Sequence, residues 1–187
     1  MLTVFGAGAQ ARAHVDAVIS VRPIETLFIV NRTRSNGEKL AAYASSAHSA
    51  SGLKRVVVLE APDQECVRDA QIICTTTNSS KPLFDGKWLN QERGTHVNAV
   101  GSYTPAMQEI DVETVGRCVV VVDTQHALAC GDLAVARREG GVEEKTHGMI
   151  DLGSALSNEC STVEKRAAWL AALEEDARKW EVCISYA

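Results

Sequence analysis

Short apolar runs alternate with helix-forming segments along most of the chain. The runs "LTVF", "IETLFIV", "KRVVVLE", "QIICTTT", "THVNAVG" and "CVVVVDT" predict strands. Between the first two lies "AQARAHVDAVISV", in which Ala11, Val15, Val18 and Ile19 recur at helical spacing. Runs such as "VVVV" show no polar alternation, so both faces of those strands should be covered by helices. The pattern predicts an α/β fold with a doubly wound, mostly parallel sheet.

The end of the chain has a different pattern. The segment "STVEKRAAWLAALEEDARKWEVCI" opens with a capping box, Ser161 and Glu164, and continues with an apolar stripe that reaches Trp180. We therefore predict two parts: a sheet domain over residues 1–157, and a C-terminal amphipathic helix over residues 158–187. This helix either packs on the sheet or joins a second copy of the chain in a homodimer.

Size and charge narrow the functional classes. The chain has 187 residues, 45% of them hydrophobic, and a formal net charge of −5. The chain is mildly acidic and has no cluster of Lys and Arg, so we do not expect it to bind nucleic acid or an anionic membrane. No apolar run approaches the roughly 20 residues of a membrane span, and the first residues lack a secretory signal pattern. We expect a cytoplasmic protein that acts on a small molecule.

The cysteines suggest neither a disulfide framework nor a metal site. They form no CxxC pair and have no His at ligand spacing, so we expect reduced thiols and no bound metal. The six are Cys66, Cys74, Cys118, Cys130, Cys160 and Cys183.

The stretch "GAGAQA" joins the first predicted strand to the first predicted helix. Gly6 allows a sharp turn out of the strand, Gly8 leaves room for a pyrophosphate, and Ala11 permits close packing of helix on strand. The free N–H groups at the start of such a helix bind phosphate. The context predicts a dinucleotide site, whereas the alternative is an ordinary turn between strand and helix.

The residues after the second strand indicate which dinucleotide is bound. NAD sites usually have Asp or Glu at this position, and Asn31 lacks that charge. Arg32 and Arg34 supply forked donors suited to a phosphate, and the Thr33 hydroxyl can add a hydrogen bond. We expect NADP(H) rather than NAD(H), the alternative being a solvated basic turn.

Taken together, these residues and several later blocks resemble the ornithine cyclodeaminase/mu-crystallin family. The later blocks are "VNRTRSNGEKLA", "DAQIICTTTNSSKPLFDGKWL", "GTHVNAVGSYTPAMQEID" and "VVVDTQHALACGDL". The resemblance runs from residue 2 to about residue 156. It implies a Rossmann-like domain, a nicotinamide cofactor, and chemistry at the α-carbon of an amino acid or its imine. The "NRT" stretch is similar to the NADPH-using branch, whose members reduce cyclic ketimines.

The resemblance also implies roles for individual residues. The pyrophosphate would be lined by Gly6, Ala7, Gly8, Ala9 and Gln10, and the 2′-phosphate would be read by Asn31, Arg32 and Thr33. The nicotinamide end would be flanked by Thr77, Asn78, Val100 and Ser102. Both stretches also have a purely structural interpretation. The "TTTN" stretch could simply end a strand, with its hydroxyls hydrogen-bonded within the protein, and "NAVGS" could be a turn that requires glycine.

Three departures from the family pattern affect the expected function. The family's N-terminal domain, which dimerises and binds the substrate carboxylate, has no counterpart in this sequence. Tyr103 stands where the cyclodeaminases carry an acidic catalytic residue, and a tyrosine is a poor base near neutrality. The family's usual closing segment is replaced by the tryptophan-containing helix.

Three residues are candidate proton donors for catalysis: Ser102, Tyr103 and Asp132. Asp132 alternatively caps the helix that follows it, and His126 is a weaker candidate that also reads as a surface histidine. We interpret His14 and His96 as packing residues.

We expect hydride transfer from NADPH to the C=N carbon of an amino-acid-derived imine. The alternative is a truncated or repurposed NADP-binding domain without hydride transfer, either a pseudoenzyme or a non-redox cyclase or isomerase. Ornithine cyclodeaminase activity proper is disfavoured by Tyr103.

Overall fold

The computed structural model describes residues 1–90, 92–140, 150–151 and 182–186. Within these residues, one sheet has the strand order β3-β2-β1-β4-β5-β8-β6-β7, and every pairing is parallel. The strands are β1 (Leu2–Phe5), β2 (Thr26–Val30), β3 (Arg55–Leu59), β4 (Ile72–Thr75), β5 (Thr95–Ala99), β6 (Cys118–Val122), β7 (Ile150–Asp151) and β8 (Val182–Tyr186). The predicted α/β fold with a parallel sheet is confirmed.

The helix predicted between the first two strands is observed, and further helices follow later strands. They are α1 (Ala9–Val21), α2 (Arg34–Ala47), α3 (Gln64–Arg68), α4 (Val112–Gly116) and α5 (Gly131–Arg138), with 3-10 helices at Gly86–Trp88 and Gln125–Ala129. The predicted stripe of α1 is the buried one: Ala11, Val15, Val18 and Ile19. No helix in the described ranges is long and apolar enough to cross a bilayer.

The central strand β1 is buried on both faces, as its apolar run predicts. Successive side chains of a strand point to opposite faces, and β1 divides accordingly. Leu2 and Val4 pack with residues of α1 and α2 in one core cluster. Phe5 belongs to a second cluster that contains Val67 of α3 and Leu133 of α5. The buried polar side chain Thr3 is satisfied because its Oγ1 donates to the carbonyl of Cys66 at 2.5 Å.

The first two helices are joined by a polar cluster on one side of the sheet. The carboxylate of Asp16 accepts hydrogen bonds from Tyr43 Oη (2.9 and 3.1 Å) and lies 2.7 Å from Nε2 of His48. The guanidinium of Arg12 stacks 3.7 Å from the centre of the Tyr43 ring.

The two histidines predicted to pack have different surroundings. His96 lies in β5 with Nε2 3.0 Å from Asn98 Oδ1, and burial lowers its pKa. His14 lies on α1, and its Nδ1 is 2.9 Å from the carbonyl of Gln10 at an exposed position. Neither ring lines the cleft described below.

The prediction of a C-terminal helix is wrong over Val182–Tyr186, which form β8. This strand pairs with β5 on one side and with β6 on the other. The run "VCISY" is rich in β-branched and aromatic residues, and two ladders of backbone hydrogen bonds outweigh the helical pattern that precedes it. Residues 158–181 lie outside the described residues, so the helix there, the domain boundary and the homodimer stay predictions.

Close packing of α2 on β3 requires a glycine inside the helix. Gly37 is buried, and a Cβ atom built on it would lie 2.6 Å from Cγ1 of Val58 and 3.8 Å from Cβ of Asn31. The helix therefore approaches the strand more closely than an alanine allows. This contact also fixes the distance between α2 and the end of β2, where Asn31 lies.

We predict that Gly37→Ala lowers the free energy of unfolding by about 1–3 kcal/mol, because overpacking exceeds the gain in helix propensity. Val58→Ala removes the methyl groups with which the new Cβ would clash. In a double-mutant cycle measured by urea unfolding, Gly37→Ala should therefore cost much less in the Val58→Ala background than in the wild type. A stabilised Gly37→Ala variant, as helix propensity alone would give, contradicts the prediction.

Candidate functional site

A cleft opens where the strand order reverses, between β1 and β4. In parallel sheets, ligands bind at this point, outside the carboxyl ends of the strands. The cleft has a volume of about 500 Å³ and is lined by residues 5–8, 30–32, 76–79 and 100–101 together with Gln10, Glu60, Pro62, Leu83 and Tyr103. This volume lies within the range of about 300–1,000 Å³ that is typical of small-molecule sites.

The turn out of β1 requires glycine at its first position. Gly6 has φ = 106°, a conformation that side-chain-bearing residues rarely adopt. Its N–H donates to the carbonyl of Val30 at 2.9 Å. A Cβ atom on Gly6 would lie 2.6 Å from Oγ1 and 2.9 Å from the carbonyl oxygen of Thr76. The side chain is excluded both by the backbone conformation and by the loop after β4.

The second glycine is required for a different reason. Gly8 immediately precedes α1, and no side chain caps this helix. A Cβ atom on Gly8 would meet no protein atom within 4 Å. The space in front of the helix N-terminus is therefore open and belongs to the cleft. Unpaired N–H groups at the start of a helix favour an anion in such a space.

The residues predicted to read the 2′-phosphate separate into two pairs. Asn31 and Arg32 line the cleft, and the Asn31 amide is oriented by a 2.8 Å hydrogen bond to the carbonyl of Thr33. Thr33 and Arg34 do not line it. Thr33 is the N-cap of α2, and Arg34 pairs with Glu38 one turn along the helix at 2.9 Å. Glu60, which sequence reasoning missed, also lines the cleft.

The predicted nicotinamide-flanking residues Thr77, Asn78 and Val100 line the cleft, and so does Tyr103. Ala7 and Gln10 line it with the two glycines, whereas Ala9 does not. Tyr103 is 66% exposed. It is therefore the one predicted proton donor that lies at the cleft among the described residues.

Ser102 and Asp132 do not fit their predicted roles, because both are buried and bonded within the protein. Ser102 Oγ donates to the carbonyl of Met107 at 3.3 Å and accepts from Asp132 N at 2.9 Å. Asp132 Oδ1 accepts from the N–H groups of Glu109 (2.7 Å) and Ile110 (3.1 Å). Asp132 is not a helix cap either, since α5 begins at Gly131 after Cys130 and has no side-chain cap.

The sequence model of the ornithine cyclodeaminase/mu-crystallin family matches residues 1–164 of this chain. The chain belongs to this family. It is 38% identical over 161 residues to a Delta(1)-pyrroline-2-carboxylate reductase of Bacillus cereus, and the match covers 84% of this chain and 47% of the relative. It is 35% identical over 141 residues to the ketimine reductase mu-crystallin of Macropus fuliginosus, covering 74% and 41%. The chain spans about half the length of the curated relatives it matches.

Solved structures of the family show the same fold. The Thermococcus litoralis Delta(1)-pyrroline-2-carboxylate reductase, in complex with NADH and L-proline, superposes with a TM-score of 0.73 at 23% identity, covering 99% of this chain and 51% of that one. The iminosuccinate reductase of Paracoccus denitrificans, in complex with NAD+, gives a TM-score of 0.72 at 21% identity, covering 98% and 50%. These likenesses show a Rossmann-like fold.

A buried carboxylate that sequence reasoning missed is hydrogen-bonded to two residues that line the cleft. Glu109 is fully buried, and its Oε1 accepts from both N and Oγ1 of Thr77 at 2.6 Å. Its Oε2 accepts from Gly101 N at 2.9 Å. Glu109 falls in the block "TPAMQEID", where nothing in the local pattern distinguishes it from an ordinary surface acid.

Glu109 and Asp132 form a pair of carboxyl groups in a low-dielectric interior. Burial raises the pKa of Glu109, against the opposing effect of the hydrogen bonds from Thr77 and Gly101. Burial, reinforced by the charge of Glu109, raises the pKa of Asp132 to about 7. The second oxygen of Asp132, Oδ2, is buried and meets no hydrogen-bond partner in the described part of the chain. The carboxyl group of Asp132 therefore keeps its proton to a much higher pH than an ordinary aspartate does.

The proton on Asp132 should make stability depend on pH. The folded protein holds it to a pKa of about 7, whereas an unfolded aspartate releases it near pH 4. Stability therefore falls as the pH rises through this window. Asp132→Asn has no proton to lose, so its free energy of unfolding relative to the wild type should rise by on the order of 2 kcal/mol between about pH 5 and pH 8.

Urea unfolding at the two pH values checks this prediction. The variant Glu113→Gln, which neutralises a carboxylate of α4 outside this buried pair, is the matched control and should show no comparable change. If the wild type and Asp132→Asn have the same pH dependence, Asp132 is ionised in the folded state and the prediction is wrong.

Proposed function

We propose that this chain is the NADP(H)-binding part of an oxidoreductase that reduces the C=N bond of an amino-acid-derived imine. The observation that carries the proposal is the open space in front of α1, where a Cβ on Gly8 would meet no protein atom. The names of the relatives, reductases of pyrroline-2-carboxylate and of ketimines, support the imine substrate. When bound, the nicotinamide cofactor supplies a hydride to the imine carbon.

The residues of the cleft fit such a cofactor from one end to the other. The N–H groups at the start of α1, with Gly8, bind the pyrophosphate. Arg32, with the oriented amide of Asn31, binds a 2′-phosphate, because a guanidinium offers two parallel donors to phosphate oxygens. Asn78 and Val100 flank the nicotinamide end. Gly6 binds nothing itself but brings the loop after β4 against the pyrophosphate turn.

The cleft offers one side chain for proton transfer among the predicted donors. Tyr103 lines the cleft and is largely exposed, so its hydroxyl can donate a proton to a bound molecule. A protonated imine needs no strong acid, so this group and water suffice for reduction. A carboxylate base of the kind the cyclodeaminases use is absent at this position, which argues against deamination of ornithine.

A second candidate is an NADP-binding domain that does not transfer hydride. It is favoured by the burial of Ser102 and Asp132, which leaves the cleft with few groups for acid-base chemistry. The two candidates separate on turnover. Purified chain with NADPH and Δ1-piperideine-2-carboxylate should consume NADPH, measured by absorbance, if the reductase proposal holds. Tight NADPH binding without consumption would favour the second candidate.

The position of Arg32 predicts the coenzyme preference. Arg32→Glu places a negative charge where the 2′-phosphate would bind, so the affinity for NADPH should fall by about tenfold or more and the variant should prefer NADH. Titration of intrinsic fluorescence with each coenzyme measures both affinities.

Arg34→Glu is the matched control for this experiment. It makes the same change of charge two residues away, on a side chain that faces Glu38 rather than the cleft. We expect its preference for NADPH to be kept. If Arg32→Glu leaves the NADPH affinity unchanged, or if Arg34→Glu has the larger effect, the assignment of Arg32 fails.

A further inference from the structure

Two loops of the cleft are tied together by one buried side chain. Thr77 follows β4 and Gly101 follows β5, and each lines the cleft. Both donate their backbone N–H groups to the carboxylate of Glu109, at 2.6 and 2.9 Å. The Gly101 N–H is shared with the carbonyl of Thr75 at 3.1 Å. Glu109 therefore joins the ends of two neighbouring strands from behind.

The loops are packed as closely as the backbone permits. A Cβ atom on Gly101 would overlap the backbone of Thr77 and would lie 2.6 Å from Oε1 of Glu109. No side chain fits between the two loops and the carboxylate. A change in the position of Glu109 must therefore move at least one of the two loops.

Glu109 is itself held by hydrogen bonds of its own backbone. Its N–H donates to Asp132 Oδ1 at 2.7 Å, and its carbonyl accepts from Leu83 N at 2.8 Å. The N–H of Asp132 in turn donates to Ser102 Oγ at 2.9 Å. The carboxylate is thus anchored to α5 and to the chain that follows Gly101, so its position does not depend on a ligand.

The hydrogen bonds also decide what Thr77 offers to a ligand. Its hydroxyl donates to Glu109 Oε1 at 2.6 Å and accepts from Ser79 N at 3.1 Å. Its hydroxyl proton and its N–H are both used by the carboxylate. Thr77 consequently has no free hydrogen-bond donor for a ligand and only forms part of the cleft wall. Glu109 fixes the position of that part of the wall.

We propose that Glu109 is a positioning residue for the nicotinamide half of the coenzyme: its carboxylate holds the loops after β4 and β5 in the arrangement that receives this half. The adenosine half would lie against β1 and β2, and the hydrogen bonds given for Glu109 go to neither strand. The inference rests on the proposed function, because it requires a dinucleotide in the cleft.

Glu109→Gln tests the proposal at nearly constant shape. The amide keeps one acceptor oxygen but turns its NH2 donor toward the N–H of either Thr77 or Gly101, so that buried N–H loses the carboxylate as its acceptor and faces a second donor. The loop that carries it should shift, and NADPH affinity should fall by about tenfold or more. The adenosine fragment 2′,5′-ADP should bind with an affinity that changes by less than about twofold, since the site at β1 and β2 keeps its contacts.

Asp132→Asn is the matched control. It also converts a buried carboxyl group of the same network into an amide, but the amide nitrogen can take the position of Oδ2, which has no partner among the described residues. No acceptor in use is lost. We expect this variant to bind both NADPH and 2′,5′-ADP like the wild type.

Isothermal titration of the three proteins with the two ligands distinguishes the outcomes. Selective loss of NADPH affinity in Glu109→Gln supports the proposal. Unchanged NADPH affinity overturns it, and so does an equal loss for both ligands, which would indicate a general structural role. If the wild type binds 2′,5′-ADP as tightly as NADPH, the nicotinamide half adds no affinity. That result would overturn the proposal for Glu109 but would leave the proposed dinucleotide site in place. If it binds neither ligand, the proposed function fails and takes the inference with it.

A second measurement needs no variant and keeps the proposal testable if Glu109→Gln does not fold. In the coenzyme-free wild type, the Thr77 N–H should exchange slowly with deuterium, because Glu109 already holds it. Rapid exchange that slows only when NADPH is added would show that the coenzyme, not Glu109, orders the loop, and would overturn the proposal.

Discussion

The contact between the turn after β1 and the loop after β4 is the constraint on which the cleft depends. The two strands pair in parallel register through Phe5 and Thr75, so the residues that follow, Gly6 and Thr76, meet at the edge of the sheet. Thr76 donates to the carbonyl of Phe5 from both its N–H (2.9 Å) and its hydroxyl (2.7 Å). Only a residue without a side chain fits opposite these bonds. Because Gly6 fits, α1 begins beside the loop after β4, and its N-terminus faces the cleft.

The polar groups near the cleft are arranged in two layers. Toward the cleft lie the first amides of α1, the Arg32 side chain and the amide of Asn78. Behind it lie two carboxyl groups, Glu109 and Asp132, whose hydrogen bonds are directed to backbone N–H groups of the protein. Buried acceptors of this kind fix a backbone because an unpaired N–H in the interior is costly. The groups that line the cleft and the buried carboxyl groups therefore come from different parts of the sequence.

The sequence predicted well those features that follow from local pattern. The glycine turn, α1 with its buried stripe, and the parallel strands depend on neighbouring residues and on hydrophobic periodicity. Asn31 and Arg32 reach the cleft because they follow directly on a buried strand, whose end is fixed by the sheet. The family was also evident, because several linked motifs occur in the right order.

The features that could not be predicted depend on contacts between distant residues. Ser102 was expected in the cleft from the family resemblance, but its hydroxyl is used by Met107 and Asp132 within the protein. Arg34 begins α2, so its side chain pairs with Glu38 on the helix. The role of Glu109 arises from loops 32 and 8 residues away in sequence. β8 could not be predicted, because its formation depends on the space between β5 and β6 and the local sequence pattern does not show that space.

The most direct test substitutes Gly8, because no contact within the protein requires a glycine at this position. Gly8→Ala should fold with a thermal midpoint close to that of the wild type, because the added methyl group meets no protein atom. It should bind NADPH at least about tenfold more weakly, because the methyl group occupies the space assigned to the pyrophosphate. A Gly8→Ala variant that binds NADPH as tightly as the wild type would contradict the central claim that this space is the phosphate site.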